Sequence, residues 1–306
     1  MAPEQELRRR LEALVAEHGA TALGVAGHDH ESGRACGVNA TRWFHAASTV
    51  KLAVLVALFD AIDRGEISPL TRLHVRNRFR SAIGRRWFRV DPARDSNSEV
   101  HRYVGRTMRV GELARHMIVT SSNLATNVLV EFLGVDAIRE TLARIGADGI
   151  DVRRGVEDER AWEAGLNNRV TAAGLVALLD HVVRGDAVSP ASSRSMLDIL
   201  HDQEFRSGIP AGVPDGARVA NKTGEISTVA HDAAIVFLPD RAPYVLAVLT
   251  EWDPGMPDGR RALIAAVSRE VTAALGIGVG IEAGADPART GQVEPGGGAQ
   301  EAAADG

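Results

Sequence analysis

A serine and a lysine lie three positions apart in the segment FHAASTVKLAVLVAL, at Ser48 and Lys51. The apolar residues after them recur at helical spacing, so both side chains are expected one turn apart at the start of a buried helix. A buried ammonium group is costly unless it is paired or has lost its proton. A neutral lysine beside a hydroxyl can activate it as a nucleophile, whereas helix capping alone would also explain the serine.

Two later segments place polar side chains at the ends of predicted elements. Ser121 and Asn123 lie in IVTSSNLATN, between two predicted helices, and Lys222, Thr223 and Gly224 lie at the end of the predicted strand RVANKTG. Each segment alone has an ordinary explanation as a helix cap or a strand end. In this order, however, S-x-x-K, S-x-N and K-T-G, each on a suitable type of element, form a set that chance seldom supplies.

On these motifs, roughly residues 20–275 resemble the class A β-lactamase-like branch of the superfamily that includes penicillin-binding proteins. The resemblance implies that Ser48 is the nucleophile and that Lys51, made weakly basic by burial and by Lys222, takes its proton. Ser121 would pass a proton to the leaving nitrogen. The resemblance also implies a set of substrate-binding residues, namely Asn123, Asn167, Thr223, Gly224 and Glu225, with the backbone N–H groups of Ser48 and Glu225 as the oxyanion hole.

Deacylation in class A enzymes needs a glutamate in an E-x-x-L-N motif. AWEAGLNNRVTA fits that pattern with Glu163 and Asn167, which would hold the hydrolytic water, although Glu163 could also be a solvated helix residue. The chain departs from the family at three points. The stretch after Asn167 is short and lacks proline, Ser122 replaces the usual aspartate of the second motif, and STVAHDAAIV has no arginine for a substrate carboxylate.

We therefore expect a serine hydrolase that opens a β-lactam amide through an acyl-enzyme on Ser48. The alternatives are a β-lactamase-related esterase or peptidase, and a penicillin-binding protein that stays acylated. The substrate is a small molecule in each case. A Ser-His-Asp hydrolase is disfavoured, because the chain has no G-x-S-x-G, and His231 and Asp232 are neighbours on a predicted strand with side chains on opposite faces.

Composition excludes several other classes of function. The formal net charge of −5 provides no basic field for nucleic acid, and the single cysteine, Cys36, allows neither an intrachain disulfide nor a cysteine zinc site. GHDHESG contains His28, His30 and Glu31, but a solvated turn explains it, so neither a metal nor a cofactor is expected. The arginine-rich segment 76–89 is expected to flank the cleft and to pair with Asp91, Asp95 and Glu99.

No apolar run is long enough for a membrane span, and the first 20 residues predict an amphipathic helix rather than a secretory signal. A cytoplasmic monomer is expected.

The elements that must position these side chains follow one another in a simple order. A helix and a strand pair come first, then a block of helices, and finally strands from residue 217 with a closing helix. Strands at both ends must meet around the inserted helices. The predicted fold is therefore α+β and β-lactamase-like, with an antiparallel sheet, flanking helices and an inserted all-α domain. We assign residues 1–47 and 205–280 to the sheet domain, 48–204 to the all-α domain and 281–306 to a disordered tail.

Overall fold

Most of the helices that the structure describes lie between the first and last described strands. The computed structural model describes residues 3–84, 86–255 and 259–277. The helices in these ranges are α1 (Pro3–His18), α2 (Lys51–Asp63), α3 (Ser98–Arg102), α4 (Val110–Val119), α5 (Asn123–Leu133), α6 (Val135–Ile145), α7 (Glu159–Glu163), α8 (Ala172–Arg184), α9 (Pro190–His201) and α10 (Arg260–Ala274). Short 3₁₀ turns cover Ala47–Val50 and Ile209–Gly212. None of these helices combines the length and the apolar character needed to cross a membrane.

The strands form one large sheet and three small ones. They are β1 (Ala22–Asp29), β2 (Ala35–Val38), β3 (Phe44–His45), β4 (Arg72–His74), β5 (Phe79–Arg80), β6 (Trp87–Phe88), β7 (Thr107–Arg109), β8 (Ile150–Asp151), β9 (Arg169–Val170), β10 (Arg218–Ile226), β11 (Val229–Phe237) and β12 (Tyr244–Glu251). The large sheet has the order β10-β11-β12-β1-β2, and all its pairings are antiparallel. Its strands therefore come from both ends of the chain.

The two faces of the large sheet pack against different helices. In β12, Leu246 and Val248 belong to a core shared with α1 and α10, whereas Ala247 and Leu249 belong to a core shared with α2 and α8. This alternation follows from the two-residue period of a strand. The predicted α+β fold, an antiparallel sheet with flanking helices, is confirmed. The division into domains stays a prediction, and the proposed tail, 281–306, lies outside the described residues.

Helix α2 is apolar on all sides and is buried from Lys51 to Ala61. A helix with this composition is stable only inside a protein core. It packs against α4, α5, α6 and α9, so its first residue is held rigidly. The sequence predicts a helix from Ser48, whereas the structure begins α2 at Lys51 after the 3₁₀ turn Ala47–Val50.

Candidate active site

Ser48 lies in the 3₁₀ turn, one turn before Lys51. The residue before it, Ala47, has φ 43°, which is unfavourable for a residue with a Cβ. The backbone N–H of Ala47 donates to Nδ1 of His45 at 3.0 Å and holds this conformation. The Ser48 hydroxyl makes no hydrogen bond within residues 3–84, 86–255 and 259–277, so it is available to a substrate.

Lys51 is fully buried, with an exposed fraction of 0%. Its Nζ donates to the backbone oxygen of Ser121 at 2.6 Å, to Oδ1 of Asn123 at 2.8 Å and to Oγ of Ser121 at 3.1 Å. Burial lowers the pKa of Lys51 to about 7, against the opposing charges of Asp95 and Glu157. A large fraction of this amine is therefore neutral near pH 7.

A second buried amine, Lys222 of β10, reaches the same hydroxyl. Its Nζ lies 3.0 Å from Oγ of Ser121 and 2.7 Å from the backbone oxygen of Thr223. Burial and the charge of Lys51 hold the pKa of Lys222 well below its usual value. Since both amines contact one oxygen atom, Ser121 links them and can relay a proton between them.

The strand that carries Lys222 lies close to the nucleophile. A Cβ on Gly224 would lie 2.9 Å from the backbone nitrogens of Ser48 and Thr49, so only glycine permits this approach. Thr223 is half-buried, and the carboxylate of Glu225 turns outward to Arg260 and Arg261 at 2.8 Å each.

The loop that carries Ser121 is held by a carboxylate from another segment. Asp95 accepts from the backbone N–H of Asn123 at 3.0 Å, from that of Leu124 at 2.9 Å and from the hydroxyl of Ser122 at 3.2 Å. The expected pairing of Asp95 with the arginine-rich segment is therefore wrong, because its buried carboxylate is occupied by these donors and by His101. Ser122 stands where the family has an aspartate in its second motif, but Asp95 supplies a carboxylate to this loop from another segment.

Glu157 also reaches the site, although the sequence did not single it out. Its Oε1 accepts from Nδ2 of Asn123 at 2.6 Å, and its negative charge acts on Lys51. Val156, the residue before Glu157, is held by Asn127, which lies one turn after Asn123 on α5. The Asn127 side chain accepts from the backbone N–H of Val156 at 2.8 Å and donates to the backbone oxygen of Val156 at 2.9 Å. In the sequence, Glu157 is marked only as a glutamate between the second and third motifs, and Glu163 lies in the same interval.

Glu163 lies at the end of α7, exposed, on the wall of the cleft. In the described ranges, its carboxylate makes no hydrogen bond or ion pair with Ser48, Lys51, Ser121 or Lys222. Asn167 lines the cleft as well, but its Oδ1 accepts from the guanidinium of Arg154 at 3.0 Å. That contact joins the two ends of the segment 154–167 and occupies the oxygen that was expected to hold a water with Glu163.

A cleft of about 1130 Å³ brings many of the predicted residues together. Ser48, Asn123, Glu163, Asn167 and Glu225 line it. Glu157 lines it too, beside Trp162 and the hairpin residues 226–228. A volume of this size accommodates a small-molecule substrate.

Strained backbone is concentrated here. In the described part of the chain, five residues other than glycine have positive φ, and three of them, Ala47, Ser121 (φ 60°) and Glu157 (φ 59°), belong to this site. Such conformations persist where the surrounding structure imposes them, and they cluster at functional sites.

His231 and Asp232 are both buried but serve the scaffold. Nδ1 of His231 accepts from the backbone N–H of Thr250 at 3.1 Å, so its Nε2 donates to the backbone oxygen of His45 at 2.9 Å. Burial lowers the pKa of His231 to about 4, which keeps it neutral. Asp232 accepts from Asn221 and from the backbone N–H of Ile209. His231 thus holds the strand that leads to Ser48.

Comparison with known proteins gives a consistent result. The β-lactamase of Streptomyces albus G is 29% identical over 89% of this chain and 85% of its own length. A variant of the class A β-lactamase of the last common ancestor of Gram-negative bacteria has a TM-score of 0.77 and 30% identity, over 88% of this chain and 98% of that one. The structure of PBP-A has a TM-score of 0.76 and 27% identity, over 89% of this chain and 96% of that one. One family model, described as the β-lactamase enzyme family, matches residues 6–275, nearly the whole length. The protein belongs to the β-lactamase enzyme family.

Proposed function

We propose that this protein is a serine hydrolase of the class A β-lactamase type, which opens a β-lactam amide and forms an ester on Ser48. The observation that carries the proposal is the hydroxyl of Ser121, which lies 3.1 Å from the buried amine of Lys51 and 3.0 Å from that of Lys222. The relatives named β-lactamase support a β-lactam as the substrate. A related amide or ester would use the same groups.

Acylation begins with the neutral amine of Lys51. It takes the proton of the Ser48 hydroxyl, whose oxygen forms a bond to the carbonyl carbon of the substrate. The charge that develops on the carbonyl oxygen is stabilised by the backbone N–H groups of Ser48 and Glu225, at about 3 kcal/mol per donor. The absence of a side chain at Gly224 supports this arrangement, because it lets β10 approach the nitrogen of Ser48.

The carbon–nitrogen bond of the amide then breaks. Its nitrogen takes a proton from the hydroxyl of Ser121, which is replaced by the proton on Lys51. The amine of Lys222 and the hydroxyl of Thr223 would hold an anionic group of the substrate through hydrogen bonds, in place of the arginine that the segment STVAHDAAIV lacks. Asn123 holds Lys51 through its oxygen, and the second N–H of its amide, which has no partner among the described residues, would hold the substrate amide.

Hydrolysis of the ester needs a base that activates water, and we assign this role to Glu157 rather than to Glu163. The hydrogen bond of Glu157 to Asn123 ties it to the residue that also binds Lys51. Glu163 lies on the cleft wall and lacks such a contact in the described residues. The E-x-x-L-N spacing favours Glu163, which stays the alternative base.

Hydrolysis of a chromogenic cephalosporin, combined with intact-mass measurement, tests the nucleophile. The protein is expected to turn the compound over, and Ser48→Ala is expected to abolish both turnover and adduct formation. The melting temperature of Ser48→Ala should stay within a few degrees, because the change removes little buried volume. Activity within tenfold of the parent would contradict the assignment. A persistent adduct on the parent protein would favour a penicillin-binding protein.

Two glutamate variants form a matched pair that tests the base. Glu157→Gln is expected to accumulate the acyl-enzyme and to lower the steady-state rate at least 100-fold, whereas Glu163→Gln should behave like the parent. The measurement is intact mass after quenching at successive times, together with the burst and steady-state phases of hydrolysis. The reverse pattern would restore Glu163 as the base, and no effect of either change would exclude both carboxylates.

A further inference from the structure

Two histidines from the end of β1 meet an aspartate of α8. Nδ1 of His28 lies 2.9 Å from Oδ2 of Asp180, and Nε2 of His30 lies 2.8 Å from its Oδ1. The centroids of the two imidazole rings are 4.7 Å apart. One potential ligand atom from each residue lies within 4.8 Å of the other two. The three side chains therefore converge on one point between the sheet and the helical layer.

The strand geometry explains why both imidazoles face the same helix. His28 lies in β1, and His30 is the turn residue just after it, whose backbone N–H donates to the backbone oxygen of Pro243 at 3.1 Å and so continues the pairing. Because residues two apart in extended backbone share a face, both imidazoles turn toward α8. Asp29 between them turns to the other side, where its carboxylate binds Ser32 and Arg241. The pairing of β1 with β12 fixes this register. The arrangement is thus preorganised by the sheet.

Two imidazole nitrogens and one carboxylate oxygen are a ligand set that zinc accepts in proteins, with water in the remaining position. We propose that His28, His30 and Asp180 bind one Zn²⁺ ion per chain, with water as the fourth ligand. Zinc ligands lie about 2.0–2.2 Å from the ion, which places them about 3.3 Å from one another in a tetrahedron. The present nitrogen–oxygen contacts would open by about 0.5 Å as the ion replaces the protons that they share.

Other histidine–aspartate contacts in the chain do not offer this set. His101 binds Asp95, and His181 binds Asp186. Across residues 3–84, 86–255 and 259–277, only Asp180 contacts two imidazoles. The side chains of His30 and Asp180 are also shielded, with exposed fractions of 15% and 13%, whereas that of His28 is 30% exposed. One side of the site is therefore open to an entering ion.

The zinc site is separate from the cleft that holds Ser48. His28 pairs with Val245, which pairs with Ile235 and through it with Ala220, so β12 and β11 separate His28 from β10. Three strand spacings amount to about 14 Å. The ion joins a strand of the sheet to α8 and touches none of the groups that we assign to acyl transfer. We therefore expect zinc to stabilise the fold without taking part in hydrolysis.

The test uses the full chain without an affinity tag, stripped with a chelator and titrated with Zn²⁺ by calorimetry. One ion per chain is expected, and a saturating concentration should raise the melting temperature by several degrees, since binding favours the folded state. Titration with Co²⁺ is expected to give the intense visible absorption of a tetrahedral site. The rate of cephalosporin hydrolysis should be equal in the stripped and the loaded protein.

Three variants decide whether these residues are the ligands. Asp180→Asn and His28→Gln are each expected to weaken Zn²⁺ binding at least 30-fold and to abolish the thermal shift, while the folded state is checked by circular dichroism. His181→Gln is the matched control, because it removes an imidazole that contacts a single carboxylate, and it should bind Zn²⁺ like the parent. Binding of no ion, or affinity unchanged in both ligand variants, would overturn the proposal.

Discussion

Lys51 and Lys222 are two buried amines that contact one hydroxyl, Ser121. Burial, and repulsion from the charge of Lys51, hold the pKa of Lys222 well below its usual value. Burial outweighs the charges of Asp95 and Glu157 in setting the pKa of Lys51 at about 7. From the sequence, the two lysines were predicted to lie together, and the lowered pKa of Lys51 was attributed in part to Lys222. The structure gives burial as its main cause.

Acylation is therefore expected to depend on pH through Lys51. Since the base must be neutral, the acylation rate should fall about tenfold per pH unit below pH 7 and level off above pH 8. Stopped-flow measurement of the acylation phase between pH 5.5 and 9 checks this. A rate that keeps rising up to pH 10 would show that Lys51 has an ordinary pKa, and a flat profile would show that another group takes the proton.

At the scale of the elements, Asp95 stabilises the loop between α4 and α5. Its carboxylate accepts from two backbone N–H groups and from Ser122, and it accepts from the backbone N–H of Asn97 at 3.3 Å. That loop carries Ser121 in a left-handed conformation, with φ 60°. The negative charge of Asp95 at the first turn of α5 also interacts favourably with the helix dipole.

Asp95→Asn is expected to lower the free energy of unfolding by about 3 kcal/mol, because an amide cannot accept from all of these donors. The negative charge of Asp95 raises the pKa of Lys51, so the acid limb of the acylation profile should move to lower pH. Urea denaturation and the pH profile are the measurements. Asp91→Asn, at an exposed position, is the control, and an Asp95→Asn protein with parental stability and an unshifted limb would contradict this role.

How much of the site the sequence predicts depends on whether a residue is fixed locally. Ser48 and Lys51 share a short segment, and Lys222 and Gly224 lie two residues apart on β10, so motif and element together place them. Asp95 and Glu157 act on Asn123 across 28 and 34 residues, through loops without a regular period. The large sheet was predictable from alternating and continuous apolar runs. The contacts of the loop carboxylates Asp95 and Glu157 were not predictable from such patterns.

At the scale of the whole molecule, the first and last described helices cover one face of the large sheet. Helix α1 packs against α10, and Leu11 of α1 is fully buried beside β-strand and α10 residues such as Val248 and Leu263. The first helix lies outside the motif-bearing region from which the family resemblance was taken. It nevertheless contributes to the second core of the fold.

Leu11→Ala is expected to lower the free energy of unfolding by about 2–5 kcal/mol, since it leaves a cavity in that core. Turnover per folded molecule at 25 °C should be unchanged, because Leu11 packs on the face of the sheet opposite to α2. Chemical denaturation and active-site titration measure the two quantities. Leu70→Ala, at a side chain with an exposed fraction of 68%, is the control and should alter neither. Parental stability in Leu11→Ala would show that α1 is dispensable.

The origin of the sheet from both ends of the chain has a consequence for synthesis. Strand β1 pairs with β12, which the ribosome makes only after the whole helical block. At about 5–20 residues per second, the roughly 200 intervening residues take about 10–40 s to emerge. During that time one edge of β1 lacks its partner and is open to aggregation or to chaperones. Premature termination before β12 would leave a nascent chain without a completed sheet, so only molecules translated past β12 can form the cleft.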